Sequence, residues 1–137
     1  MAKLVLGIVG GLLVALLAGW IWGRSGQSDT AHALQTAELR GDLLGARAAV
    51  LDARVAIYSV NFGEASGHLE NARDLLHRAD ERLKRLGRSD EVKQVATALA
   101  GIDDAQRLAG KLDQNANSRA GEAARTLSNV LEAVRKR

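Results

Sequence analysis

The sequence predicts an all-α protein: one N-terminal transmembrane helix, then two long antiparallel helical hairpins whose four helices pack in coiled-coil fashion. Three observations predict it. The 137 residues contain no Pro and no Cys, and the commonest residue types favour helix. Residues 4–23 carry no charge at all. The rest of the chain sets apolar residues at alternating intervals of three and four, and nowhere alternates them as a strand would. The implied organisation is a transmembrane anchor at 1–23, a hinge at 24–28 and an extramembrane helical domain at 29–137. That domain divides into hairpins at 29–87 and 89–137.

Twenty helical residues rise about 30 Å, the hydrocarbon thickness of a bilayer. Trp20 and Trp22 close the apolar run directly before Arg24, where an aromatic belt and a snorkelling cation anchor a span at the interface. A cleaved secretory signal would need small residues at its cleavage site. Leu16 stands before Ala18 and Ile21 before Gly23, so neither place fits. Gly7, Gly11, Ala15, Gly19 and Gly23 recur every four residues. Such a ridge lets a second membrane helix approach closely, and it marks these five as the contact positions of the span. Lys3 and the α-amine on one side face Arg24 with Asp29 behind it on the other. The positive-inside bias thus favours a cytoplasmic N-terminus and an extracytoplasmic domain, periplasmic in a diderm bacterium.

Gly23-Arg-Ser-Gly-Gln27 reads as the hinge, with Ser28 or Asp29 capping the next helix. Its predicted core stripe is Leu34, Ala37, Gly41, Leu44, Ala48, Leu51, Val55 and Tyr58. A turn at Asn61 follows, and a second stripe runs Phe62, Ala65, Leu69, Ala72, Leu76, Ala79, Leu83, Leu86. Two such stripes joined by a tight turn predict a hairpin in which small Ala alternates with large Leu. Gly87 is expected to end one helix in the left-handed conformation, with Ser89 capping the next and Asp90 and Glu91 at its positive end. The third helix carries Val92, Val95, Leu99, Ile102, Ala105, Ala109 and Leu112. Residues 115–118 make a turn, and the last helix buries Ala120, Ala123, Leu127, Val130 and Val134.

Residues 62–71 and 120–129 share Gly-Glu-Ala, then Leu, then Asn, at an offset of 58, which suggests two related hairpins. The stretch Tyr58-Ser-Val-Asn-Phe-Gly-Glu-Ala-Ser-Gly-His-Leu-Glu-Asn-Ala72 resembles the centre of a tetratricopeptide repeat. It lacks that family's Trp-Leu-Gly opening, closing Pro and second copy. The resemblance implies a protein-binding hairpin rather than a repeat array. Tyr58 and Phe62 cap the hairpin core in this reading, and as scarce aromatics at a turn they are also candidate docking anchors for a partner.

With Lys3 and Arg24 set aside, 17 basic residues stand against 16 acidic ones, a formal charge of +1. The signs are interspersed, as on a solvated surface and not a nucleic-acid footprint. Among the histidines, His68 and His77 lie on opposite sides of a helix and cannot share a metal, while His32 is remote. Glu64 and His68 are spaced for surface pairing, and Glu70 and Asp74 share a solvated face. No serine has a paired base and no glycine-rich phosphate loop follows a strand. The expectation is therefore no enzyme, no cofactor, no metal, no nucleic acid and no small-molecule substrate.

The expected function is a membrane-anchored helical scaffold, an accessory or stabilising subunit of a larger multi-subunit membrane complex of photosynthetic, respiratory or transport type. Its partners would be the lipid bilayer and other membrane protein subunits. The alternatives are a self-associating envelope coiled coil and, from another class, a module that binds membrane lipid surfaces.

Overall fold

The structure, a computed structural model, describes the backbone of residues 2–136 and the side chains of residues 30–136. The described residues form four α-helices and no strand: α1 (Ala2–Tyr58), α2 (Phe62–Arg85), α3 (Ser89–Ala109) and α4 (Ala116–Arg135). The chain divides into two units, Met1–Thr36 and Ala37–Arg137. In the first, Leu34 is exposed and the Thr36 hydroxyl donates to the His32 carbonyl at 2.9 Å.

Two sequence expectations change at once. Residues 24–28 are helical backbone within α1, not a hinge, and neither Ser28 nor Asp29 opens a new helix. A Gly inside a helix costs only about 1 kcal/mol relative to Ala, too little by itself to break one that has long flanks and no Pro. Among residues 30–136, whose side chains are described, no helix is long and apolar enough to cross a membrane. The span read at residues 4–23, its contact positions Gly7, Gly11, Ala15, Gly19 and Gly23, and the anchors Trp20, Trp22 and Arg24 lie outside the residues whose side chains are described.

Residues 37–136 form an up-down-up-down bundle with turns at 59–61, 86–88 and 110–115. Each helix touches its two neighbours around the ring. Asp42 of α1 meets Arg78 and Arg82 of α2, and Arg73 of α2 faces Asp103 of α3. Gly101 of α3 lies so close to α4 that a side chain there would stand 3.4 Å from the Ala123 Cβ. Arg47 and Arg54 of α1 bond to Ser128 and Asn117 of α4 and close the circle. Leu39, Leu43, Ile57, Leu69, Leu76, Leu83, Ile102 and Leu127 fill the interior and are fully buried. Each contributes about 1.5–3 kcal/mol by leaving water.

The stripes of α2 and α4 are buried as predicted, with only Leu86 partly exposed. That of α1 is not. Its buried face is Leu39, Leu43, Ala46, Val50, Ala53 and Ile57, flanked by Ala49 and Ala56. Leu44, Val55 and Tyr58 of the predicted series point outward, and Leu51 is half-buried. In α3 the inward positions are Glu91, Val95, Ala98, Ile102, Ala105 and Ala109, while Leu112 is exposed in the turn.

The internal echo extends to the packing. Phe62, Ala65, Leu69, Ala72 and Leu76 share their burial with Ala120, Ala123, Leu127, Val130 and Val134, each 58 residues on. The buried α1 positions match α3 at an offset of 52: Leu39 with Glu91, Leu43 with Val95, Ala46 with Ala98, Val50 with Ile102, Ala53 with Ala105, Ile57 with Ala109. The change of offset between the helix pairs arises between α3 and α4, at the longer turn 110–115 and the first residues of α4, and it hides the match of α1 with α3 when a single offset is applied to the sequence.

All three turns end their helices by the same device. Gly87, at φ +67°, donates to the Lys84 carbonyl while Arg88 donates to that of Leu83, the paired bonds of a Schellman cap. Val60 and Leu112 occupy the equivalent left-handed positions at φ +60° and +57°, with Asn61 bonding to Ala56 and Asp113 to Leu108. A β-branched or bulky side chain at positive φ is strained by about 1–3 kcal/mol. Both side chains are exposed and contribute little to packing. Val60→Gly and Leu112→Gly are therefore each expected to stabilise the fold by about 1 kcal/mol, since the relief outweighs the extra chain entropy of Gly. Urea denaturation of the single variants measures it, and a loss of stability at either position would contradict the strain assignment.

Candidate interaction surface

The turn after α1 separates the two aromatics that the sequence groups together. Phe62 opens α2 and is buried, with Asn61 as the cap before it; the Asn61 side chain accepts from the Glu64 amide and donates to the Glu64 carboxylate at 2.6 Å. Tyr58 is 81% exposed. Phe62 thus belongs to the core, and of the two only Tyr58 is placed where a partner could touch it.

Tyr58 ends the outward series on α1. Leu44 is 56% and Val55 67% exposed, with Leu51 between them. Large apolar side chains repeating by three and four along an exposed helix face need a reason, because a solvated helix carries polar residues there. The polar residues of α1 are sorted around the helix. Glu38 and Asp42 lie on the α2 side, where both bond to Arg82 and Asp42 also takes Arg78 at 3.2 Å. Partial burial pulls the Arg82 guanidinium down, and hydrogen bonds to Asp42 and Glu38 with their charges outweigh it, so its pKa sits above the ordinary value. Across the bundle, the hydrogen bond from Arg107 holds the Asp104 carboxyl below its ordinary range.

Arg40, Arg47 and Arg54 lie on the α4 side. The Arg47 Nε donates to the Ser128 Oγ at 3.0 Å and the Arg54 Nε to the Asn117 Oδ1 at 2.8 Å. Room for Arg54 depends on Gly121, where a Cβ would stand 3.3 Å from the guanidinium carbon. Between α1 and α4 a chain of shallow hollows results. One of about 280 Å³ is lined by Arg40, Leu44, Leu131, Glu132 and Arg135; the next two lie over Leu51 and Ala124, then over Val55 and Tyr58.

The histidines do not assemble a site. The His68 Nε2 lies 3.7 Å from the Glu64 carboxylate on an open surface, as the spacing predicts. Among the described residues no group of three His, Asp or Glu side chains could hold a metal ion.

Sequence reasoning missed two features. One is the groove, whose trace is the seven-residue spacing of Arg40, Arg47 and Arg54; that interval sets them on one face of a coiled-coil-like helix. The other is a buried ion pair at the α2–α3 turn. Arg88 precedes Ser89, which is the first residue of α3 and not its cap, and donates to Glu91 at 2.7 and 3.1 Å. It also donates to the Ala133 carbonyl of α4 at 2.9 Å. No short-range pattern announces that long-range bond. Compared with protein-family models, with curated proteins and with solved structures, the chain has no match.

Proposed function

We propose that the chain is a non-catalytic, membrane-anchored helical scaffold, a small accessory subunit that stabilises a larger multi-subunit membrane complex. The observation that carries this reading is the outward apolar series Leu44, Leu51, Val55 and Tyr58 on a helix already packed through its opposite face. A bundle with a complete interior has no structural need of a second apolar stripe, whereas a subunit that seats against a neighbour does. The anchor is supported by the uncharged run of residues 4–23 with Trp20, Trp22 and Arg24 at its end. Its small-residue ridge suits a membrane-level contact, and the charge bias favours a cytoplasmic N-terminus.

Purification of the native protein in mild detergent, with identification of every co-migrating chain, tests the reading. A stoichiometric complex with other membrane subunits is expected. Gly11→Leu and Gly19→Leu should each reduce recovery of that complex several-fold, because a Leu holds the helices apart where the ridge lets them touch. A lone monomer overturns the scaffold reading, and a homo-oligomer replaces it with self-association.

A further inference from the structure

The hollows of the α1–α4 groove are lined by five arginines and a single carboxylate, Glu132, which lies 3.8 Å from the Lys136 ammonium. Arg73, Arg78, Arg82, Arg88, Arg107 and Arg119 each lie within 4 Å of a carboxylate. Arg40, Arg47, Arg54, Arg125 and Arg135, which border the groove hollows, have no such partner among the described residues. Arg47 and Arg54 are set in place by neutral acceptors on α4. One nitrogen of each fork is thereby used to orient it, while its charge stays uncompensated. A guanidinium held in this way is prepared to grip a carboxylate through two parallel bonds.

The groove floor has the period of a helix. Leu44, Ala48, Leu51, Val55 and Tyr58 succeed one another by four, three, four and three along α1, the spacing that takes knobs from a facing helix. From Leu44 to Tyr58 the row is about 21 Å long, four helical turns. An apolar floor between arginine lips fits a helix with an apolar stripe and acidic flanks.

We propose that the groove between α1 and α4 is the docking site for an acidic amphipathic helix of a partner subunit. The proposal rests on the scaffold reading and names the chemistry of its extramembrane contact. A second copy is the poorer occupant. A two-fold dimer sets the same patch against itself, which here would bring arginines against arginines.

The test uses the full chain in zwitterionic nanodiscs, with empty discs as the baseline. The probes are two helical peptides of about six turns, both with Leu at the inward positions, one flanked by Glu and the other by Lys. The Glu peptide is expected to bind about ten-fold tighter than the Lys peptide and to weaken several-fold between about 0.05 and about 0.5 M salt. Leu51→Glu with Val55→Glu should abolish binding of the Glu peptide. Arg47→Glu with Arg54→Glu should invert the preference between peptides, and Arg40→Gln, a milder change, should reduce it. Circular dichroism melting establishes that each variant is folded, and Arg40→Gln decides the matter if the double reversal is not. Equal binding of both peptides, or a preference indifferent to these changes, overturns the proposal. So does a chain dimer lost with Leu51→Glu, which assigns the groove to a second copy, or binding to anionic vesicles lost with it, which assigns the groove to a lipid surface. A native complex whose photo-crosslinks from position 51 reach no acidic helix leaves the scaffold standing and removes the groove from it.

Discussion

Val50→Asp is expected to unfold the bundle, and Val55→Asp, one and a half turns further along the same helix, to leave it almost untouched. Val50 is fully buried between the helices, whereas Val55 is 67% exposed. An aspartate at position 50 must either ionise without a partner among Leu43, Ala46, Ala53 and Ile57 or take up a proton. Uncompensated buried charge costs about 3–5 kcal/mol, much of the 5–15 kcal/mol that holds a domain together. At position 55 the carboxylate reaches water, and the change should stay below about 1 kcal/mol. Thermal and urea melts followed by circular dichroism separate the two. Equal loss at both positions would return the core stripe to the series Leu44, Leu51, Val55 and Tyr58.

That pair of variants goes to the helix in which a whole predicted stripe lies on the wrong face. In α2 and α4 only one apolar series runs through polar surroundings, so the spacing of the residues alone identifies the buried face. Helix α1 carries two interleaved series one or two residues apart, and both obey the three-and-four rule. What decides between them lies elsewhere in the chain. With Leu39 and Leu43 inward, Glu38 and Asp42 reach Arg78 and Arg82 on α2, while Arg47 and Arg54 reach Ser128 and Asn117 on α4. Those partners are 36 to 81 residues away, beyond any local reading of α1. The turns divide similarly. Gly87 announces its left-handed backbone because Gly adopts it freely, but Val60 and Leu112 adopt it against their preference. Only the position of the helix ends reveals them.

The exposed series on α1 would be a liability in an isolated bundle, and its consequences join the two levels of contact proposed for this chain. Apolar side chains left in water promote association with whatever complementary surface is nearest. The arginines beside them restrict which surface that is, since like charge repels another basic groove. Glycines along residues 4–23 would bring neighbouring spans together in the bilayer, and the groove would then select among the subunits so gathered. Tethering makes even a weak groove effective, because the second contact forms at the high local concentration set by the first. The groove therefore need not bind tightly when the two partners are free in solution.

Arg88→Met is expected to be among the most destabilising single changes, and adding Glu91→Leu to it should restore most of the loss. Glu91 is only 3% exposed, and Arg88 holds its carboxylate through two nitrogens while a third bond reaches the Ala133 carbonyl. Removing the guanidinium leaves a buried carboxylate without its counter-charge and frees the carbonyl on α4, at about 3–5 kcal/mol. Replacing both partners by apolar side chains of similar volume removes the charge along with its need for a partner, and such exchanges are often neutral. The single Glu91→Leu change should fall between the two, because Arg88, 12% exposed at its side chain, can turn toward water. A double-mutant cycle read by urea denaturation gives the coupling directly. Additive losses at the two positions would mean that each side chain serves its neighbours separately and that the α2–α3 turn is not tied to α4 through this ion pair.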